Sequence, residues 1–185
     1  MIDPLLEIMR RLRDPSDGCE WDKVQTFSTI APYTIEEAYE VADAIERNDM
    51  ESLKDELGDL LLQVVFHSQI AADDDKFDFQ NVVDTICNKM TRRHPHIFGG
   101  ADESPGWEQL KADERDRSGQ SSALDGVALA LPALLRAQKI QKRAARVGFD
   151  WPDKAPVREK LLEELEEVGA AISDQEVHEE IGDLL

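Results

Sequence analysis

The stretch IEEAYEVADAI (35–45), followed by DELGDLL (55–61), decides how this chain folds. Glu37 and Glu40 stand three apart, as do Glu56 and Asp59, and residues three apart share one face of a helix. Apolar residues fill the positions between them at helical spacing. The same text returns as LEELEEVGAAI (162–172) and EEIGDLL (179–185), with Glu164 and Glu167, then Glu180 and Asp183, in matching places. The interval between the acidic pairs is longer in the first copy, a difference that fits in the inter-helix turn. Each copy predicts two neighbouring helices bearing four carboxylates, and the repeat predicts a duplicated helical unit.

Working outward, Leu5, Leu6, Ile8, Met9 and Leu12 form one face of a short first helix. Thr34 and Glu37 read as a capping box that opens the first acidic helix at Ile35 and carries it to Glu46. Ser52 reads as the cap of a third helix reaching Ala72, with Leu53, Leu57, Leu60, Leu61 and Val64 as its buried stripe. A fourth helix spans Phe79 to His94, and Pro95 helps to end it. A short polar helix is expected at Trp107–Arg117, then a linker through RSGQSSALDG. After Pro132 the amphipathic ALLRAQKIQKRAARVG opens the second copy, and FDWPDKAP turns it into the second acidic helix. No segment reads as a strand. The expected fold is all-α, with tandem four-helix-bundle-like units over residues 1–117 and 132–185, joined by a linker over 118–131. The second copy stops midway through its third helix and reads as incomplete or truncated.

The chain has 185 residues, 40 acidic and 21 basic, for a net charge of −19. Such a balance argues against nucleic acid or an anionic membrane surface as a partner, because both are polyanions. Cys19 and Cys87 make neither a disulfide framework nor a CxxC zinc pair. The N-terminal MIDPLLEIMRRLRDP has no apolar core of a secretion signal, and no apolar run approaches the roughly 18 residues that span a bilayer. The expectation is a soluble, cytoplasmic protein.

Four carboxylates on adjoining helices repel one another, and a divalent cation is the natural way to hold them together. An all-oxygen donor set suits hard ions, Mg²⁺ first and Mn²⁺ next. Gly58 and Gly182 leave space between the acids at some cost in helix propensity. A single ExxE reads as solvated helix surface; two linked pairs, repeated with their apolar flanks, favour a metal site. His67, on the apolar third helix, reads as a core histidine. A ferritin-like di-metal site needs Glu-x-x-His, and none occurs. LEELEEVG holds part of a Nudix box, but its upstream residues and surrounding strands are missing. The alternative from another class is a non-catalytic all-α dimerisation or regulatory module that binds Mg²⁺ or nucleotide.

Several longer motifs make the resemblance specific: GCEWDKVQT (18–26), YTIEEAYEV (33–41), DELGDLLLQVVFH (55–67), NKMTRRHPHIFG (88–99), WEQLKADER (107–115) and PALLRAQKIQKRAARVGFDW (132–151). Over nearly its whole length the chain resembles MazG-family nucleoside triphosphate pyrophosphohydrolases of the all-α type. The resemblance implies Mg²⁺-dependent hydrolysis of a (d)NTP between the α- and β-phosphates to NMP and pyrophosphate, nucleotide-pool housecleaning, and an intertwined homodimer. It implies metal ligation by Glu37, Glu40, Glu56 and Asp59, and by Glu164, Glu167, Glu180 and Asp183. Glu36 and Glu163 would assist, as candidates to orient or deprotonate the attacking water. Lys89, Arg92 and Arg93 match positions that contact the triphosphate, and so does Lys160, where the first unit has Tyr33. Two departures, Glu20 for a Pro and Phe27 for a His, bear on loop shape and base recognition.

Overall fold

The computed structural model describes residues 2–100 and 122–184. The chain divides into two units, Met1–Pro105 and Gly106–Leu185. Among the described residues every regular element is helical. No helix among them is long and apolar enough to cross a membrane. The expected helix at Trp107–Arg117 lies outside the described residues, as does the start of the expected linker.

In the first unit, α1 spans Asp3–Leu12, with Pro4 in its first turn and Arg10 and Arg11 in its last. Both placements suit a helix, since Pro lacks only a donor that is unused there and cations complement the C-terminal dipole. After a 3₁₀ turn at Asp22–Val24 come α2 (Phe27–Glu46), α3 (Met50–Asp73), α4 (Phe79–Arg93) and α5 (Pro95–Phe98). Pro95 therefore both follows α4 and opens the next turn of helix.

The start of α2 departs from the sequence reading. Thr26, not Thr34, is the N-cap: its hydroxyl accepts from the Thr29 N–H at 3.3 Å, and Thr29 Oγ1 accepts from the Thr26 N–H at 2.8 Å. Pro32 then sits inside the helix, where it forfeits one backbone bond. Tertiary packing outweighs that loss, because Ile30, in the turn before, is only 1% exposed. The cap of α3 is likewise Asp49, three residues before Ser52, whose N–H and hydroxyl donate to the Asp49 carboxylate at 3.1 and 2.9 Å.

α2 and α3 form the central pair, and α1 lies against α3. The core is Met9, Ile30, Val65, Phe66 and Ile70, flanked by Leu5, Leu6, Leu62 and Phe79. The buried stripe of α3 is thus Leu62, Val65, Phe66 and Ile70. Leu57, Leu61 and Val64, expected to be buried, are 50%, 38% and 37% exposed. The reason is geometric: α3 is apolar on more than one side, and its neighbours α1, α2 and α4 leave these three residues partly uncovered.

In the second unit, α6 (Ala133–Arg146), α7 (Lys154–Ala170) and α8 (Asp174–Leu184) follow the expected order, and α7 pairs with α8. Asp153 caps α7 through the Ala155 N–H at 2.8 Å. Ile140, Ala144, Phe149, Trp151 and Val157 line an open apolar hollow of about 540 Å³.

Candidate metal centre

Both acidic sites stand on a helical hairpin, and both are placed by the same ruler. Glu37 lies eleven residues after its N-cap Thr26, and Glu164 eleven residues after its N-cap Asp153. At about 1.5 Å per residue that is three turns from a fixed start. Each hairpin turn also has the same length, residues 47–49 and 171–173. The extra residues of the first copy are not in the turn, as the sequence suggested. They are in the helix: α2 runs six residues beyond Glu40, whereas α7 runs three beyond Glu167.

That difference shifts the pairing by nearly one turn. In the first unit Glu40 is six residues before the end of α2 and Glu56 six after the start of α3, so the two stand level. In the second unit the residue level with Glu180 is Glu164. The resulting clusters differ accordingly. Glu37, Glu40 and Glu56 bring carboxylate oxygens within 4.8 Å of one another in the first unit, and Glu164, Glu180 and Asp183 do so in the second. Asp59 and Glu167, the fourth acids of each set, fall outside those clusters but act on them electrostatically.

That proximity perturbs the acids. Glu37 is held above the usual carboxylate range by desolvation first, then by Asp59, Glu40 and Glu56. Desolvation also leads for Glu56, followed by Glu40 and Asp59. Glu180 is raised by desolvation, then by Glu167, Glu164 and Asp183. Like charges gathered in this way favour protonation unless a cation joins them.

The second cluster carries one cation of its own. Lys160 Nζ lies 2.6 Å from Glu164 Oε1 and 2.9 Å from Glu163 Oε1. Those two bonds, Glu164 first, raise the lysine above its ordinary range. Glu164 is only 4% exposed, and its second oxygen, Oε2, is buried without a hydrogen-bond partner. A buried, unpartnered oxygen on a carboxylate that is clustered with two more acids fits a hard cation better than it fits solvent. In the first unit the corresponding position is Tyr33, which meets Trp21 edge-on at 6.3 Å between ring centres.

The other expected site residues are more dispersed. Glu36 and Glu163 are exposed, beside the clusters and not in them. Lys89, Arg92 and Arg93 occupy the C-terminal part of α4, where they complement its dipole. α4 packs against α3, the helix that supplies Glu56. His67 is half-buried at the edge of the core, not within it: it stacks on Phe27 at 5.8 Å, and its Nε2 lies 3.1 Å from Thr34 Oγ1. Burial pushes its pKa down.

Arg13 was not singled out in the sequence, yet it ties the first unit together. Its guanidinium donates to Asp73 and to the carbonyls of Asp22 and Gln25, over the ring of Phe66. Only its charge at the end of α1 was visible beforehand, and that signal does not distinguish it from Arg10 or Arg11.

The chain is similar to known proteins. The MazG nucleotide pyrophosphohydrolase domain matches residues 25–98, the span of the first acidic site. A nucleoside triphosphate pyrophosphohydrolase of Escherichia coli K12 is 52% identical over the whole of this chain and 74% of its own length. A protein of Thermotoga maritima named nucleoside triphosphate pyrophosphohydrolase/pyrophosphatase MazG is 45% identical over the whole of this chain and 72% of its own. A nucleoside triphosphate pyrophosphohydrolase of Mycobacterium tuberculosis is 38% identical over 70% of this chain and 41% of its own length.

Proposed function

This chain belongs to the MazG nucleotide pyrophosphohydrolase family, and we propose on that premise how its residues serve the reaction. It is a hydrolase that converts a nucleoside triphosphate and water to a nucleoside monophosphate and pyrophosphate. The observation that carries the reading is the recurrence of one carboxylate cluster on two hairpins.

The donor set fits Mg²⁺. Glu37, Glu40 and Glu56, with Asp59 nearby, would hold it in the first unit. Glu164, Glu180 and Asp183, with Glu167 nearby, would hold it in the second. When bound, Mg²⁺ supplies a more acidic water and offsets charge on the phosphates. The chain does the rest. Glu36 and Glu163, exposed beside the clusters, accept a proton from the attacking water, so that it reaches the α-phosphorus as the bond to the pyrophosphate breaks. Lys89, Arg92, Arg93 and Lys160 neutralise the triphosphate and the leaving pyrophosphate. Housecleaning of the cytoplasmic nucleotide pool is the role that suits this reaction.

The active form is a homodimer in this reading. Leu57, Leu61 and Val64, spaced as one helical stripe, stand 50%, 38% and 37% exposed beside the acids in the single chain. A second copy that covers them removes that apolar surface from water. The two units are taken as copies of one metal-binding unit, residues 1–117 and 132–185, joined by 118–131.

Product analysis tests the proposal. The chain is incubated with a panel of NTPs and dNTPs, with and without Mg²⁺. NMP and pyrophosphate formed only with Mg²⁺ supports it. NDP and phosphate, or turnover without a divalent ion, overturns it, and ligand-induced stabilisation without turnover favours a regulatory module.

A further inference from the structure

The second acidic site holds a cation made of protein. Lys160 spends its ammonium on Glu164 and Glu163 at 2.6 and 2.9 Å. Glu164 is the α7 acid that stands level with Glu180 and shares its cluster, so the lysine is bonded to an acid of the cluster itself. The ammonium takes Oε1 and leaves Oε2 buried and unpartnered. At the matching place in the first unit, Tyr33 lies edge-on to Trp21 and carries no charge.

We infer that Lys160 is a built-in counter-cation of the second site, one that competes with a divalent ion until the phosphates of a nucleotide draw it away. This inference rests on the reading of the acids as a metal site and specifies the order in which that site fills. An ammonium within a few ångströms of the ion position repels a divalent charge, and even in a high-dielectric surrounding that repulsion costs about tenfold in affinity. A triphosphate offers the ammonium a stronger acceptor than one shared carboxylate. The second site therefore takes its ion together with nucleotide.

The test reads metal binding, not turnover. In the full chain, Glu37→Gln and Glu56→Gln silence the first cluster, and Mn²⁺ binding is followed by the loss of the free-ion EPR signal. Lys160→Met is expected to bind Mn²⁺ about tenfold more tightly than its Lys160 parent in the absence of nucleotide. Adding Glu164→Gln should abolish that gain, and Lys160→Arg, which keeps the charge, should show none. A non-hydrolysable nucleoside triphosphate should tighten Mn²⁺ binding in the Lys160 parent and narrow the difference from Lys160→Met. Circular dichroism identifies any variant that fails to fold, and Lys160→Arg then carries the comparison through its nucleotide dependence. Unchanged or weaker binding in a folded Lys160→Met protein overturns the inference. If the chain without substitutions forms no NMP and pyrophosphate while Lys160→Met still shows the gain, the catalytic reading falls and this one stands.

Discussion

Arg13 Nε donates to Asp73 Oδ2 at 2.7 Å, joining the end of α1 to the end of α3. The arginine side chain is only 8% exposed and also donates to the carbonyls of Asp22 and Gln25 at 2.7 and 3.2 Å. One planar fork thus fixes the loop that leads into α2. Arg13→Met is expected to lower the stability of the first unit by about 2–4 kcal/mol, because three acceptors lose a charged donor. Arg13→Lys should recover less than half of this, since an ammonium cannot reproduce the fork. Urea unfolding measures both, and a loss under about 0.5 kcal/mol would mean that the clasp is ornamental.

The acids of the first site predict a trade between stability and metal binding. Glu37 and Glu56 have raised pKa values in the folded chain, so the metal-free protein binds protons more readily than the unfolded chain does. Their contribution favours folding at pH below the ordinary carboxylate value of 4.5 and is lost as pH rises through the raised folded values. Glu37→Gln should therefore raise the melting temperature of the metal-free protein at pH 7 while reducing the further rise that Mg²⁺ brings. That Mg²⁺-dependent rise should be larger at pH 8 than at pH 5 in the parent chain. Thermal scans at both pH values decide the matter; a metal effect independent of pH speaks against carboxylate ligation.

His67 supplies a pH dependence of opposite sign. Burial lowers its folded pKa below the ordinary 6.5, so the unfolded chain is the one that takes up the proton. Its contribution is intact above pH 6.5 and is lost as pH falls through that value towards the lowered one. Replacing it by Gln should flatten stability between pH 7 and pH 5 relative to the parent. Chemical denaturation across that range, in the absence of metal, makes the comparison.

Two glycines should respond in opposite directions. A Cβ at Gly18 would meet the carbonyl oxygens of Asp14 and Leu12 at 2.4 and 2.5 Å, both of them backbone atoms with little freedom to move. Gly18→Ala is expected to cost about 1–3 kcal/mol. A Cβ at Gly58, between two acids of the first site, would meet nothing within 4 Å. Gly58→Ala should stabilise α3 by about 0.5–1 kcal/mol. If the space at Gly58 serves ligand or partner, the same change lowers activity as it raises stability, and assays of both quantities on one preparation show it.

Much of this could be read from the chain before the structure. Three acids of each set come together, and i, i+3 spacing explains the shared face; it does not set height across the hairpin, which is why Asp59 and Glu167 stand outside the clusters. Most of the α1 face was equally legible, with Met9 buried and Leu5 and Leu6 against the core, although Ile8 is 52% exposed. The start of α2 was not, because Pro32 and Thr34 imitate a helix beginning, and only the burial of Ile30 explains why the helix runs through the proline. The buried side of α3 was ambiguous for a different reason: apolar residues occupy more than one face, and periodicity cannot say which face meets α1. The contacts of Arg13 and Lys160 depend on which atoms lie across a turn or along a face, and pattern alone does not reveal them.

The unequal lengths of α2 and α7 change how experiments on one unit transfer to the other. A sequence alignment matches Glu40 with Glu167, yet by height in the hairpin Glu40 corresponds to Glu164. A mutational scan of both units should therefore look out of phase when plotted by aligned position. The most sensitive acid on α7 would appear one turn earlier than the most sensitive acid on α2. Phenotypes borrowed from one half to interpret the other need to be moved by that turn first.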